Sequence, residues 1–242
     1  MSAGTESAEE MDRLQEEWMS IVIHDLRQPL QTIMGRASLL RHLVARSPSP
    51  EPALVADNLR HIQVAAANVG KMINDLLDSS RLEAKRMRVD LEPTDLISLT
   101  YDIVERSREV MAGHGVRIEV RRPPPLVAAD PGRLEQVLGN LLSNAAKYGE
   151  LGTEILLEVN CFDHDVQVSV VNRGRCIDRE DQSKLFSRFQ RAWAQHERIP
   201  GIGLGLYISK GLIEAHGGCM WHETTAEGAT AFRFTLPVEQ PA

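Results

Sequence analysis

The sequence predicts an all-α helical hairpin that dimerises as a four-helix bundle, followed by an α+β two-layer sandwich. Over 6–45, apolar residues recur at alternating three- and four-residue steps, and the same spacing returns after a proline- and serine-rich turn at 46–52. Beyond Arg86, short segments with alternating apolar residues, which are typical of strands, are interspersed with amphipathic helical segments. These observations divide the chain into a domain 1–86 and a domain 87–242.

The helical hairpin is predicted from one apolar stripe on each helix. The first stripe consists of Ile23, Leu26, Leu30, Ile33, Ala37, Leu40 and Val44. The second stripe consists of Val55, Leu59, Ile62, Ala66, Val69, Ile73, Leu76 and Ser80. A single hairpin would leave half of each stripe exposed, so we expect a homodimer formed through the helices of residues 1–86.

The second domain is predicted to be a mixed sheet with helices on one face. The predicted strands lie near 87–92, 116–121, 154–162, 165–172, 219–224 and 230–236. The predicted helices lie near 94–112, 130–148, 180–194 and 203–216. The run of three prolines at 123–125 is predicted to be a loop.

The composition limits the classes of function. A net charge of −7 gives no reason to expect nucleic acid or an anionic membrane as a partner. No apolar run is long enough to span a membrane, and the N-terminal residues lack the features of a signal peptide. The three cysteines, Cys161, Cys176 and Cys219, are far apart and odd in number, so we expect a cytoplasmic protein without a disulfide framework.

His24 is a candidate catalytic residue on the first helix. Helical residues advance about 100° each, so His24 points roughly 140° away from the centre of the first apolar stripe. A histidine on a solvated helix face is the simplest interpretation. However, the neighbouring Asp25 can bind one imidazole nitrogen and leave the other free as a nucleophile. Pro29 removes a backbone donor and loosens the helix one turn later.

Two later segments have the residues that a nucleotide site needs. The segment GIGLGLYISKGLIEAHGG, 201–218, places glycines before an apolar helix, whose N-terminus offers free N–H groups to phosphates. The segment NLLSNAAKYG begins at Asn140; within it the carboxamide of Asn144 can ligate Mg²⁺, and Lys147 can neutralise phosphate charge. A glycine turn without a ligand and an amphipathic helix with a polar face are the alternatives for these segments taken singly.

The motifs together resemble the two-component sensor histidine kinases. HDLRQPLQTI, 24–33, is similar to that family's phosphoacceptor box. NLLSNAAKYG, VVNRGRCIDREDQSKLFSRFQRA (170–192), the glycine segment and GATAFRFTLP (228–237) follow in the order and spacing of the family's Bergerat-type ATP-binding domain. The resemblance covers residues 15 to 237 and comprises these five ordered segments.

The resemblance implies a phosphoryl transfer from ATP and Mg²⁺ to His24, and from there to an aspartate of a response regulator receiver domain. It makes Asp25 the acid/base or orienting partner. Gln28 stands where many members carry a Thr or Asn that positions water for the reverse phosphatase reaction, and its side chain is one methylene longer than Asn. Asn144 would hold the metal. The implied cofactor-binding residues are Asn140, Asn144, Lys147, Tyr148, Asn172, Gly174, Ile177, Phe189, Arg191, Gly201, Gly203, Leu204, Gly205, Leu206 and Thr230.

The first glycine box departs from the family pattern of Asp-x-Gly-x-Gly-Ile. Asn172 replaces the Asp that reads adenine, and Cys176 replaces the second glycine. A neutral hydrogen bond is weaker than a charge-assisted one by roughly 1 kcal/mol, so we predict weak ATP binding. A degenerate kinase that acts as a binding or phosphotransfer scaffold is therefore the alternative function.

Two other classes on the same nucleotide-binding fold fit less well. A gyrase-like or chaperone-like ATPase needs a Glu one turn before the metal-binding Asn, and Asn140 occupies that place and cannot act as a base. A serine kinase that regulates sigma factors would lack the helical hairpin.

Overall fold

The computed structural model describes residues 3–46, 51–108, 110–174, 177–190 and 202–238, with side chains from Val22 onward except at 179 and 180. Within these ranges it forms two compact units, and the second unit begins at Asp78. The fold class predicted from the sequence, a helical hairpin followed by an α+β sandwich, is confirmed. None of the helices in the described ranges has a stretch apolar and long enough to cross a bilayer.

The hairpin consists of α1 (Ala3–Arg46) and α2 (Pro52–Glu83), which are close to the predicted helices. Asn58 of α2 is fully buried; its side-chain oxygen accepts a hydrogen bond from Arg36 of α1 at 3.1 Å, and its amide donates to the carbonyl of Leu54 at 2.8 Å. A buried carboxamide with partners on both helices fixes their register, because leaving it unpaired would cost about 1–3 kcal/mol.

Part of each predicted apolar stripe is exposed on the single chain. Ile23, Leu30, Leu59 and Ile73 are each between 46% and 49% exposed. The hairpin thus buries only part of its apolar surface within one chain, as the spacing predicts for half of a four-helix bundle.

The second unit contains a five-stranded mixed sheet. Its strands are β2 (Gly115–Arg122), β4 (Glu154–Cys161), β5 (Asp165–Asn172), β6 (Met220–Thr224) and β7 (Thr230–Pro237). Their order in the sheet is β2-β4-β5-β7-β6. The strands β2 and β4 pair in parallel, and the other neighbours are antiparallel. A separate antiparallel pair joins β1 (Glu92–Thr94) to β3 (Val127–Ala129).

Three helices cover the apolar face of this sheet: α3 (Leu96–Arg106), α4 (Pro131–Tyr148) and α6 (Gly205–Ala215). In β4 the fully buried side chains of Ile155, Leu157 and Val159 alternate with more exposed ones, as expected for a strand with one covered face. In α4, Leu134, Val137, Leu138, Leu141 and Leu142 form a core stripe that is at most 1% exposed. Each such side chain stabilises the fold by about 1.5–3 kcal/mol.

Three predicted elements of the second unit were wrong in part, and one short strand was not predicted. The strand expected at 87–92 is β1, which begins only at Glu92, and the short strand β3 was not predicted. The helix expected at 94–112 ends at Arg106, because the backbone N–H of Ser107 closes it on the carbonyl of Ile103 and the following turns bury Met111. The helix expected at 180–194 is only the single turn α5 (Arg179–Gln182), followed by further turns up to Phe189; residues 191–194 lie outside the described ranges.

The last turns of α2 belong to the second unit. The carboxylate of Asp78, 3% exposed, accepts hydrogen bonds from Arg133 at 2.8 Å and Gln136 at 3.0 Å, both of α4. Leu82 covers Gly211 of α6, where a Cβ would collide with the leucine side chain. The segment 78–83 is therefore packed onto both α4 and α6, the helices that contain the nucleotide-site motifs.

Candidate functional site

His24 lies on the outside of α1, as the helical phase predicted. Its side chain is 77% exposed, whereas that of Asp25 is 13% exposed. The His24 Nδ1 and Asp25 Oδ1 atoms are 3.2 Å apart. A carboxylate can only accept, so in the tautomer that forms this bond Nδ1 carries the proton and Nε2 keeps an available lone pair. The arrangement thus presents a nucleophile to solvent on a helix and orients it through its neighbour.

Gln28 and Pro29 follow one turn later. Gln28 is exposed, and its backbone carbonyl accepts a hydrogen bond from the Thr32 hydroxyl at 3.2 Å. Pro29 lies inside α1, which continues on both sides of it. The Gln28 carboxamide is therefore on the same exposed surface as His24, since residues four apart share a helix face.

The helix α4 presents the asparagine motif. Asp130 caps its N-terminus by accepting from the Arg133 N–H at 3.1 Å, and the backbone N–H of Asp130 donates to Nε2 of His216 at 3.0 Å. His216 follows the end of α6, so this bond ties the start of α4 to the end of α6. The motif itself begins at Asn140 and occupies the carboxyl-terminal half of α4, which ends at Tyr148.

The carboxyl-terminal half of α4 brings together the polar side chains of the motif. Asn140 and Asn144 are four residues apart and therefore on one face, and both are half-buried. The Nζ of Lys147 lies 5.3 Å from the centre of the Tyr148 ring. Within the described residues, no group of three or more His, Cys, Asp or Glu side chains converges on a common point. The carboxamide of Asn144 offers an oxygen donor, which is the kind of ligand that suits Mg²⁺ together with water and phosphate oxygens.

Asn172 and Thr230 lie side by side at one end of the sheet. Asn172 ends β5 and pairs in register with Thr230, the first residue of β7; each is 5% exposed. Ile177, also 5% exposed, follows shortly after Asn172. The position expected to read adenine and the position expected behind it are thus neighbours.

Gly174 lies where two backbone segments cross. It pairs with Gly149 as an isolated bridge, and the N–H of Glu150 donates to the carbonyl of Arg173 at 2.7 Å. A Cβ on Gly174 would overlap the carbonyl oxygen of Tyr148 and lie 3.2 Å from the Cα of Gly149. Gly174 therefore allows the end of α4 to pack against the loop that follows Asn172.

The glycine segment leads into an uncapped helix. Gly203 has φ +76°, a conformation that strongly favours glycine, and Gly205 begins α6. The residue before α6, Leu204, is 1% exposed and makes no side-chain cap, whereas Asp95 and Asp130 cap α3 and α4 with carboxylates. The first N–H groups of α6 are therefore not capped by the residue that precedes them, which suits an anion. Leu206, in the first turn of α6, is half-buried.

Phe189 adjoins this glycine turn. It has φ +61°, and its backbone N–H donates to the carbonyl of Gly203 at 2.9 Å. Arg188 lies over the Phe189 ring at 4.7 Å and forms an ion pair with Glu83 at the end of α2. Burial is the main cause that lowers the pKa of Arg188 from its usual value. Two predicted site residues, Arg191 and Gly201, lie outside the described ranges, as does Cys176.

Sequence reasoning did not identify three residues that shape this region: Asp78, Ser209 and His216. Each acts through a partner far away in sequence, respectively Arg133, Asn140 and the backbone of Asp130. The spacing of Gly205 and Ser209, four residues apart on α6, is the one local signal that could have placed Ser209 beside the glycine turn.

Two family models of known proteins match this chain, one in the helical hairpin and one in the second unit. Residues 14–85 match the family model of the His Kinase A (phospho-acceptor) domain. Residues 129–240 match the model of the histidine kinase-, DNA gyrase B-, and HSP90-like ATPase. The chain thus combines a phospho-acceptor helical hairpin with an ATPase-type domain.

The chain belongs to the sensor histidine kinases. It is 31% identical over 223 residues to the adaptive-response sensory kinase SasA of Synechococcus sp. strain JA-2-3B'a(2-13). The alignment covers 91% of this chain and 58% of SasA. It thus spans little more than half of that relative's length.

Two solved structures share the architecture. Full-length ShkA in complex with AMPPNP superposes with a TM-score of 0.66 at 25% identity, over 94% of this chain and 47% of ShkA. The histidine kinase ThkA in complex with the response regulator protein TrrA gives a TM-score of 0.61 at 24% identity, over 97% of this chain and 66% of ThkA, which is a likeness of fold.

Proposed function

We propose that this chain is a histidine autokinase that phosphorylates His24 with ATP and Mg²⁺ and passes the phosphoryl group to an aspartate of a response regulator. The observation that carries the proposal is the exposed His24, held through Nδ1 by Asp25 with Nε2 free. Since ATP is an intracellular metabolite, the proposed reaction takes place in the cytoplasm.

The proposed transfer uses the two nitrogens of His24 differently. The lone pair of Nε2 attacks the γ-phosphorus, the bond from that phosphorus to the bridging oxygen breaks, and ADP leaves with the bond's electrons. The imidazole becomes cationic as the N–P bond forms, and the Asp25 carboxylate, 3.2 Å from Nδ1, stabilises that charge or takes the Nδ1 proton. Asp25 therefore stabilises the product state more than the neutral ground state.

We propose that the nucleotide is bound between the end of α4 and the start of α6. Asn144 would ligate Mg²⁺, which when bound neutralises phosphate charge, and Lys147 would add a cation at the same end of α4. The first N–H groups of α6 and the turn at Gly203 would receive phosphate oxygens. Asn172 and Thr230 would contact adenine, with Ile177, Tyr148 and Phe189 as the apolar lining.

The proposed acceptor and donor sites suit a homodimer. Ile23 and Leu30 of α1, and Leu59 and Ile73 of α2, are the apolar surface that a second copy would cover to complete a four-helix bundle. The remaining exposed face, with His24 and Gln28, stays available to a receiver domain. The known complex of ThkA with TrrA is the precedent for such a partner.

The experiment that tests this function is incubation of the full chain with γ-labelled ATP and Mg²⁺. We expect incorporation of a phosphoryl group that is lost in acid and stable in base, as for an N–P bond to imidazole. Label that survives acid would indicate a phosphorylated hydroxyl and would contradict the proposal.

A second candidate, a phosphotransfer scaffold with little kinase activity, is favoured by Asn172 itself. A carboxamide oxygen accepts from the adenine amine without the charge assistance of a carboxylate. In that case the chain would incorporate no label from ATP, but His24 would take a phosphoryl group from a phosphorylated regulator.

Asn172→Asp tests the weak adenine recognition on which the second candidate rests. We expect ATP to bind the wild type with a dissociation constant above the micromolar range and the variant several-fold more tightly, since the difference between the bonds is roughly 1 kcal/mol. Isothermal titration calorimetry on the full chains measures both. Asn160→Asp, on the adjacent strand β4, is the control for the added charge and should bind as the wild type does. Micromolar binding by the wild type, or no gain in Asn172→Asp, would contradict the assignment of Asn172 to adenine.

A further inference from the structure

The side chain of Asn140, which belongs to the predicted nucleotide-binding motif, makes contacts within the protein itself. Its Nδ2 donates a hydrogen bond to the hydroxyl oxygen of Ser209 in α6 at 3.1 Å. Ser209 is 2% exposed, so the bond ends on a buried hydroxyl between the two helices. A buried serine oxygen paired with a carboxamide on the facing helix is a fixed link between α4 and α6.

The rest of the Asn140 carboxamide lies against the bare backbone of Gly205. A Cβ on Gly205 would overlap the Asn140 Oδ1 and would lie 2.9 Å from its Cγ and 3.0 Å from its Nδ2. Gly205 does not have a positive φ, so the reason that this position requires glycine is steric. The amide thus touches the first residue of α6 and the residue one turn later.

We infer that Asn140 is a positioning residue that sets the distance between the start of α6 and the face of α4 that presents Asn144. It does so by spanning Gly205 and Ser209 with one planar carboxamide, and it is neither a metal ligand nor a base. This inference rests on the proposed function, because it assigns to Asn140 the placement of the phosphate-binding turn relative to the metal ligand. Ser209, which the proposed nucleotide contacts do not include, becomes part of the same device.

The test is a double-mutant cycle in the full chain with Asn140→Ala, Ser209→Ala and both together. Affinity for AMPPNP with Mg²⁺ is measured by calorimetry, and the KM for ATP and the limiting rate by autophosphorylation. We expect Ser209→Ala alone to weaken AMPPNP binding about 3- to 10-fold, the effect of one lost hydrogen bond. We expect the double variant to bind no worse than Asn140→Ala, because the two side chains act as one unit.

The split between KM and limiting rate distinguishes positioning from mere stability. A destabilised chain has a smaller folded fraction, which lowers the apparent rate and leaves KM unchanged, whereas a displaced α6 raises KM. Thr100→Val is the matched control: this equally buried hydroxyl donates to the Leu96 carbonyl within α3 and should change stability only.

Two results would overturn the inference. One is a Ser209→Ala chain that binds AMPPNP as tightly as wild type while Asn140→Ala does not, since Asn140 would then act on the nucleotide directly. The other is additive losses in the double variant. Failure of the proposed function is a separate outcome, in which the wild type itself binds no AMPPNP.

Discussion

A His24→Ala chain incubated with γ-labelled ATP and Mg²⁺ is expected to incorporate no label, the largest effect of any single substitution proposed for this protein. The reason is geometric: His24 combines 77% exposure with a hydrogen bond from Nδ1 to Asp25 that leaves Nε2 free. Alanine removes the proposed acceptor nitrogen and, because the side chain is exposed, leaves buried packing undisturbed. Gel autoradiography under basic conditions measures the label.

The matched control is His42→Ala. His42 is also exposed on α1, but its Nδ1 lies 2.9 Å from the carbonyl oxygen of Ser38, and Leu43 follows it in the sequence where Asp25 follows His24. We expect this variant to be labelled as the wild type is. Full labelling of His24→Ala, or loss of label in His42→Ala alone, would show that the acceptor lies elsewhere.

Gly174→Ala is expected to weaken nucleotide binding more than tenfold and to destabilise the second unit. The new methyl group would overlap the Tyr148 carbonyl oxygen and approach the Gly149 Cα at 3.2 Å. Since both neighbours are backbone, neither can rotate away, and overpacking of this kind costs about 1–3 kcal/mol. The separation of the two backbones would also displace Asn172 from the end of α4. AMPPNP titration and thermal unfolding of the full chain measure the two effects.

Gly139→Ala in α4 is the control for this substitution. A Cβ at Gly139 would meet no atom within 4 Å, and the residue lies inside a helix. Alanine there should raise stability by about 0.4–1 kcal/mol and leave AMPPNP affinity unchanged. Equal behaviour of the two variants would refute the steric role of Gly174.

The parts of the fold that have a regular apolar period could be predicted from the sequence. The stripes in α1 and α2 and the alternation in β4 and β5 are local patterns, and each produced a helix or strand close to the expected bounds. The strand β3 has only three residues, too few for an alternating pattern, and it is held by pairing with the distant strand β1. The end of α3 depends on the burial of Met111, which the local sequence does not indicate.

In the candidate site, too, local sequence patterns could be predicted and contacts distant in sequence could not. The exposure of His24 follows from helical phase alone. The steric reason for two of the glycines does not, because a Cβ on Gly174 would meet the backbone of Tyr148 and a Cβ on Gly205 would meet the side chain of Asn140. A steric partner distant in sequence has no local signature, so the motifs predict these positions without indicating the steric reason for glycine there.

The packing of Asp78 and Leu82 on the second unit has a consequence for protein engineering. Chimeric kinases are made by joining the sensory part of one protein to the catalytic part of another, and the domain boundary predicted from the sequence suggests a junction after Arg86. A junction there would place a foreign residue opposite Arg133 and Gln136, and a foreign side chain over Gly211. A graft that keeps the native residues from Asp78 onward retains the ion pair between Asp78 and Arg133. The end of α2 should therefore be transferred together with the catalytic part.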